Sequence, residues 1–172
     1  MTTTSPDHPA GTLEPDRAVG SPRHRRAFLG VAFAFLALAT PQHELFTLAL
    51  VAAFATAAAD TVSSEIGQAY GRTTYLITSF RRVPAGTEGA VSLEGTLAGI
   101  AASAILAGIA AAIHLIPTSG IAVVTAAAFV GTTLESYLGA TSKTAKAMDN
   151  EVMNFLNTVA GGLAAIGLSM LL

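Results

Sequence analysis

Long apolar stretches alternate with short polar connections along most of the chain. Read with a membrane-length window, the pattern predicts an all-α integral membrane protein, a bundle of about five transmembrane helices. The last three stretches reach the roughly 20 residues that a straight span needs, whereas the first two are shorter and form either a shallow hairpin or two thin spans. The predicted spans lie near residues 27–40, 44–60, 95–116, 120–139 and 152–172.

The N-terminal region differs from the rest of the chain. Residues 1–24 are rich in Pro, Thr, Ser and Asp without an apolar period, which predicts a disordered tail ahead of a transmembrane domain over 25–172. An alternative interpretation is that Arg25 and Arg26, with the apolar run after them, form a cleavable twin-arginine signal, which would leave four spans.

The basic residues are distributed on one side of the predicted topology. If all five segments cross, every Lys and Arg falls in the tail, in the connection after the second span or in the connection after the fourth. The positive-inside rule then places the N-terminus and these two long loops in the cytoplasm, with the protein in the plasma (cell) membrane and the C-terminus outside. The nine cations are Arg17, Arg23, Arg25, Arg26, Arg72, Arg81, Arg82, Lys143 and Lys146.

Overall composition excludes several functional classes. The chain has no cysteine, which excludes a thiol nucleophile, a disulfide framework and a cysteine metal site. Its net charge of −2 predicts no nucleic-acid partner.

Polar residues cluster near the predicted cytoplasmic face. A carboxylate in a span costs roughly 2.5–3.5 kcal/mol, so each needs a partner or a purpose. Asp60 and Glu65 are five residues apart, so an unbroken helix cannot direct both at one ion, and one is expected beyond the helix end. The acidic candidates at this level, all suited to Mg²⁺, are Asp60, Glu65, Glu135 and Asp149.

Three amides open the fifth span at helical spacing. Asn150, Asn154 and Asn157 fall on one face, which predicts that they point into the bundle, either as interhelical hydrogen-bonding groups or as ligands for a substrate. Glu135 is flanked on its own face by Gly131 and Gly139, which would allow a helix or a ligand to approach closely.

The connection after the second span has the composition of a phosphate-binding loop. Its glycines free backbone N–H groups, its hydroxyls add donors and its arginines supply charge, although an ordinary Gly-rich turn before a helix fits as well. The pattern lacks the Gly-Lys-Ser/Thr ending of a nucleotide P-loop. The candidate phosphate-binding residues here are Arg81, Arg82, Gly86, Thr87, Gly89 and Ser92.

Small residues recur every fourth position in two spans. Gly95, Gly99 and Ser103 follow this spacing in the third span, and Gly161, Ala165 and Ser169 in the fifth. Such stripes predict tight helix packing, and they permit a homodimer. Carboxylates, a phosphate-binding loop and adjacent apolar helices together predict a phosphate-bearing lipid as substrate and phosphoryl transfer as the chemistry.

Four motifs resemble the transmembrane protein 19 family, also called domain-of-unknown-function 92, which includes the plant phytyl-phosphate kinase. They are the run Ala58-Ala59-Asp60-Thr61-Val62-Ser63-Ser64-Glu65-Ile66-Gly67, the loop from Val83 to Thr96, the segment from Gly131 to Ala140, and Asp149-Asn150 with Asn154. The resemblance covers roughly residues 25–170. By position it includes Asp60, Glu65, Gly86, Thr87, Gly89, Ser92, Glu135, Asn150 and Asn154.

The resemblance implies a membrane kinase that converts an isoprenoid monophosphate to its diphosphate with a nucleoside triphosphate. In this interpretation Asp60, Glu65 and Glu135 hold Mg²⁺, and Asn150 and Asn154 orient one substrate. The family commonly has Asp in place of Glu135, and its first span often carries Gln and Asn-Gly where this chain has Gly30, Phe33 and Ala34.

Many relatives have further hydrophobic segments ahead of this region, so a shortened member is expected. Two other functional classes remain open. One is a transporter or carrier of a phosphate-bearing lipid or small molecule, and the other is a scaffold subunit without a ligand. His114 is predicted near the outer side and is excluded from the chemistry.

Overall fold

A computed structural model describes the backbone of residues 22–141 and 150–171, and the side chains of 30–141 and 152–171. Over these residues the chain forms five helices and one short β-hairpin. The elements in chain order are α1 (Pro22–Ala39), α2 (His43–Tyr70), β1 (Thr74–Leu76), β2 (Ala90–Ser92), α3 (Leu93–Ala112), α4 (Gly120–Gly139) and α5 (Asn150–Ser169).

The five-helix prediction is confirmed, with different boundaries. Four described helices, α2 to α5, are long and apolar enough to cross a membrane, and α1 contributes a shorter apolar stretch, Gly30–Ala39. The first helix begins at Pro22 rather than near residue 27, so the end of the predicted disordered tail is helical. The rest of that tail, 1–21, lies outside the described residues.

The expectation that either Asp60 or Glu65 lies beyond the end of the second helix is wrong. The helix continues to Tyr70, and both Asp60 and Glu65 lie inside it. The segment after Asp60 is more polar, but it remains helical and its Ser63, Gly67 and Gln68 pack along α3 and the hairpin with its connection. The hairpin was also not predicted: β1 pairs antiparallel with β2 across a connection of thirteen residues, 77–89.

The helices pack closely through the predicted small residues. A methyl group on Gly99 would come within 2.9 Å of the Ala59 carbonyl oxygen, and one on Gly95 within 2.5 Å of the Ser63 carbonyl oxygen. Residue numbers increase along α2 in the direction in which they decrease along α3, so the two helices run antiparallel. The small-residue stripe of α3 therefore packs against α2 as predicted.

The two ends of the bundle differ in their connections. We call the end that carries β1, β2 and the connection 77–89 the hairpin end. The opposite end, with connections 40–42 and 113–119, is the short-loop end. His114 lies there, exposed and with a φ of 58°.

The apolar core is built mainly from small side chains of α2, α3 and α4. Ala52, Ala55, Ala107, Val124 and Ala127 are buried against one another and against Ala165 of α5. The opposite faces carry large exposed apolar side chains, among them Leu97, Ile105 and Ile109 of α3. An apolar outer surface around a small-residue core is the arrangement of a multi-pass helical membrane protein.

Candidate functional site

A cavity of about 710 Å³ opens at the hairpin end, between α2, α3, α4, the start of α5 and the hairpin with its connection. Along α3 it extends from Gly95 to Ser103, and along α4 from Gly139 to Phe129. Ser103 is about 15 Å along the axis from Leu93 at ~1.5 Å per residue, so the cavity reaches well into the bundle.

One face of α2 supplies much of the polar lining. Asp60, Ser63, Ser64, Gly67 and Gln68 recur at helical spacing and all border the cavity. Glu65 lies on the exposed side of α2 and is not among the lining residues. The structure therefore brings Asp60, but not Glu65, to the predicted site.

Glu135 of α4 borders the same cavity and is hydrogen-bonded to a residue of α5. The Nδ2 of Asn157 donates a hydrogen bond to Glu135 Oε2. Asn157 is only 2% exposed and is not among the lining residues, and its Oδ1 has no hydrogen-bond partner. The predicted inward orientation of this amide is therefore correct for Asn157, but its contact is the carboxylate and not the cavity.

Gly131 and Gly139, on the same face of α4 as Glu135, are in close contact with other helices and with the hairpin connection. A methyl group on Gly131 would come within 2.5 Å of Thr56 Cγ2 and within 3.1 Å of Asn157 Oδ1. A methyl group on Gly139 would lie 3.2 Å from the backbone nitrogen of Gly89. These contacts fix α4 between α2, α5 and the hairpin connection.

The predicted phosphate-binding loop borders the cavity through its C-terminal part. Gly86 and Gly89 have φ values of 84° and 72°, a left-handed conformation that favours glycine. Thr87 also lines the cavity, and its hydroxyl donates to the Pro84 carbonyl oxygen at 2.7 Å. The structure thus places Gly86, Thr87 and Gly89 at the site.

Ser92 caps the helix that begins at the cavity. Its side-chain oxygen accepts a hydrogen bond of 3.1 Å from the Gly95 backbone N–H, and its backbone is extended. Ser92, Gly95 and Thr96, at the first turn of α3, border the cavity. Ser92 is a capping residue whose hydroxyl also borders the site.

The arginines of the predicted loop lie apart from the cavity. Neither Arg81 nor Arg82 borders the cavity, and both side chains are exposed. Over the described residues the lining contains the carboxylates Asp60, Glu88 and Glu135 and no Lys or Arg. Antiparallel pairing of Tyr75 with Arg82 holds this part of the loop on the outer side of β1.

Some predicted residues lie outside the described part of the chain. Asp149, Lys143 and Lys146 fall within 142–149, and the side chain of Asn150 is likewise not described. Asn154 is half-buried on α5 and is not among the lining residues.

Several residues that line the cavity were not predicted from the sequence. Ser63, Ser64 and Gln68 could have been found by continuing the helical spacing from Asp60 through the polar end of α2. The same signal in α4 would have added hydroxyls near Glu135, namely Thr132, Thr133 and Ser136.

The donor set fits a magnesium ion that is shared with a phosphate. Across 30–141 and 152–171, no three His, Asp or Glu side chains gather into a metal-binding group. Mg²⁺ is usually bound by one or two carboxylates together with substrate phosphates, and Asp60 and Glu135, which both line the cavity, are donors of that kind.

Comparison with known proteins identifies the family. The model for the integral membrane protein family DUF92 matches residues 25–162. An uncharacterized membrane protein of Synechocystis is 46% identical over 74% of this chain and 50% of its own length. Protein VTE6, chloroplastic, of Arabidopsis thaliana is 46% identical over 72% of this chain and 38% of its own length.

An uncharacterized membrane protein of Methanocaldococcus jannaschii is 31% identical over 67% of this chain and 48% of its own length. The chain thus spans half or less of the length of these curated relatives. No solved structure matches it. With the family model covering most of its length, the chain belongs to the DUF92 family of integral membrane proteins.

Proposed function

We propose that the protein is a membrane kinase that phosphorylates an isoprenoid monophosphate, of the phytyl or prenyl type, to the diphosphate. The observation that carries the proposal is the mixed composition of the cavity. The carboxylates Asp60 and Glu135 and several hydroxyls line it together with apolar side chains, among them Ile100 and Phe129. A phosphate joined to an apolar chain presents the same two kinds of surface.

Access for the apolar chain is supported by Phe129. This side chain borders the cavity and is 45% exposed on a helix whose outer surface is apolar. It therefore stands between the cavity and the region where lipid would lie. A substrate could place its phosphate near Asp60 while its chain stays in contact with the bilayer.

The reaction needs little from the protein beyond positioning and charge stabilisation. An oxygen of the acceptor monophosphate forms a bond to the γ-phosphorus of the nucleoside triphosphate. The bond from that phosphorus to the β,γ-bridging oxygen breaks, and the nucleoside diphosphate leaves with the electron pair. The acceptor is already an anionic nucleophile, so no general base is required.

In this proposal Asp60 and Glu135 hold Mg²⁺, which neutralises charge on the reacting phosphates when bound. Asn157 orients the Glu135 carboxylate by its hydrogen bond. The hydroxyls of Ser63 and Thr132, each about one turn from a carboxylate on its own helix, would contact phosphate oxygens.

The distribution of polar groups favours an enzyme over a carrier. A carrier is expected to bind its ligand near the membrane midplane and to open towards both sides. Here the carboxylates and the hairpin connection gather at one end, and the opposite half of the bundle is filled by the alanine-rich core.

We also propose that the hairpin end faces the cytoplasm of the cell membrane. Arg72, Arg81 and Arg82 lie at this end, and connections 40–42 and 113–119 carry no Lys or Arg. The nucleoside triphosphate would then be supplied from the side where such compounds are abundant.

The test uses the purified protein in detergent with Mg²⁺, a γ-labelled nucleoside triphosphate and phytyl or geranylgeranyl monophosphate. We expect labelled isoprenoid diphosphate, and no product from the corresponding alcohol, because the alcohol lacks the anionic nucleophile. In sealed vesicles, product should form only when the triphosphate is added to the side that carries the hairpin.

Absence of diphosphate with every donor and with both acceptors would contradict the kinase proposal. Equal activity from both faces of a sealed vesicle would contradict the proposed orientation. Transport of the monophosphate without its conversion would favour the carrier.

A further inference from the structure

A second, smaller pocket lies beside the cavity and has the opposite charge. Its volume is about 250 Å³, and it is formed by the residues that follow α2 and by the connection after β1. Arg72 and Arg82 line it together with Thr73 and Thr74. We propose that this pocket binds the polyphosphate of the nucleoside triphosphate, through Arg72 and Arg82.

The pocket is held in place by backbone hydrogen bonds. Val83 N–H donates to the Thr74 carbonyl oxygen at 3.0 Å, and Leu76 N–H donates to the Arg81 carbonyl oxygen at 2.9 Å. These bonds fold the connection back along β1 and bring Arg82 towards Arg72, although the two are ten positions apart. The backbone positions of the two arginines are thus fixed relative to each other.

Gly71 sets the position of Arg72. It follows α2 and donates its N–H to the Gly67 carbonyl oxygen at 3.1 Å. A methyl group on Gly71 would overlap that same oxygen and approach the Ser92 side chain to 3.0 Å. Only glycine allows the chain to leave α2 this close to β2, so Arg72 is held against the hairpin.

The two pockets share one wall. Thr74 lines both of them, and it pairs with Ser92, which lines the cavity, in the register of the hairpin. Gly71 lines the smaller pocket and packs against the same Ser92. The smaller pocket therefore lies next to the cavity, across Thr74.

The described lining of the cavity is acidic and that of the smaller pocket is basic, and the proposed reaction needs both kinds of group. The described lining of the cavity carries three carboxylates, Asp60, Glu88 and Glu135, and no Lys or Arg. A triphosphate would be repelled there unless cations offset the charge. Arginine forms paired, charge-assisted hydrogen bonds to phosphate oxygens, so the smaller pocket supplies what the cavity lacks.

Arg81 provides a matched control. It is adjacent to Arg82, also exposed and of the same charge, but it is not among the residues that line the smaller pocket. Long-range attraction of an anion to this surface would depend on all three arginines alike, whereas a defined site would depend on Arg72 and Arg82 alone.

The experiment measures binding of inorganic tripolyphosphate, and of a non-hydrolysable nucleoside triphosphate, to the purified full chain in detergent free of phospholipid. We expect Arg72→Gln and Arg82→Gln each to weaken binding about tenfold or more, as for a lost charge-assisted hydrogen bond. Arg81→Gln should stay within about twofold, as expected for an exposed charge. Unchanged thermal midpoints would show that the exposed substitutions leave the fold intact.

A second arm distinguishes a lipid headgroup from a free polyphosphate. In nanodiscs of neutral lipid, addition of anionic phospholipid should not compete with tripolyphosphate. Competition that disappears in Arg72→Gln and Arg82→Gln would assign the pocket to a lipid headgroup and overturn the inference. Equal affinity in wild type and in all three variants would also overturn it.

The identity of the anion rests on the proposed kinase function, but experiments can contradict the pocket and the kinase separately. Diphosphate formation with an unchanged KM for the triphosphate in Arg72→Gln and Arg82→Gln would remove the inference and leave the kinase standing. Binding of tripolyphosphate that depends on Arg72 and Arg82, without any diphosphate product, would support the pocket and remove the kinase.

Discussion

The two halves of the bundle use small residues for opposite purposes. Towards the short-loop end, alanines of α2, α3 and α4 fill a continuous apolar core with buried side chains such as Ala52 and Ala107. Towards the hairpin end, glycines such as Gly95 and Gly99 bring α3 into close backbone contact with α2, yet the chain there encloses a cavity of about 710 Å³. Close backbone contact therefore holds the helices around an open site.

The border between the two halves is a cluster of four residues from three helices. Thr56 of α2, Gly131 of α4 and both Asn157 and Gly161 of α5 meet there. Thr56 is fully buried, and its hydroxyl donates to the Ala52 carbonyl oxygen at 2.7 Å. Substitutions here should affect stability when they add volume and activity when they release Glu135.

The largest effect on stability is expected for Gly161→Ala. The added methyl group would overlap the Thr56 hydroxyl inside the bundle, at a cost of about 1–3 kcal/mol typical of an overpacked core. Gly108→Ala is the matched control, because nothing lies within 4 Å of a methyl group at that position. The control should be neutral or slightly stabilising, by up to ~1 kcal/mol.

Thermal unfolding in detergent measures both variants. Equal midpoints for Gly161→Ala and Gly108→Ala would contradict the packing described at this border.

A smaller effect on stability, accompanied by a loss of activity, is expected for Asn157→Leu. The change keeps approximate shape and removes the hydrogen bond to Glu135, which as a bond to a charged group contributes about 1.5–3 kcal/mol. Loss of the unpaired Oδ1 offsets part of that cost. Activity should fall about tenfold, because the carboxylate is no longer oriented.

Asn154→Leu, one turn away on α5, should have a smaller effect on activity. In a double-mutant cycle, Asn157→Leu and Glu135→Gln should be strongly non-additive if the amide acts through the carboxylate. Additive losses would assign Asn157 a role independent of Glu135.

The sequence predicted the helices better than the site, for identifiable reasons. Apolar length marks a span regardless of tertiary contacts, so the helix count and the small-residue stripe of α3 were correct. The polar continuation of α2 was missed because hydropathy falls after Asp60 while helical spacing continues through Ser63, Ser64 and Gly67. There, packing against α3 and not hydropathy determines the structure.

A second feature that the sequence did not predict is the direction in which individual side chains point. Asp60 and Glu65 carry the same charge in one motif, but they lie about 140° apart on a continuous helix at ~3.6 residues per turn. Likewise, Arg82 lines a separate pocket because β1 and the following connection fold together, and that pairing spans residues distant in sequence. Three-residue strands leave no periodic signal that would predict it.

The central claim is that the cavity at the hairpin end, with Asp60 in its wall, is where the phosphate-bearing lipid reacts. Asp60→Asn and Glu65→Gln test it directly, since both remove one carboxylate from α2 and only the first borders the cavity. Isoprenoid diphosphate formation should fall about 100-fold or more in Asp60→Asn, the scale of a lost transition-state electrostatic contact. It should stay within about twofold of wild type in Glu65→Gln, as for an exposed charge. Equal losses in the two variants, or full activity in Asp60→Asn, would contradict the account.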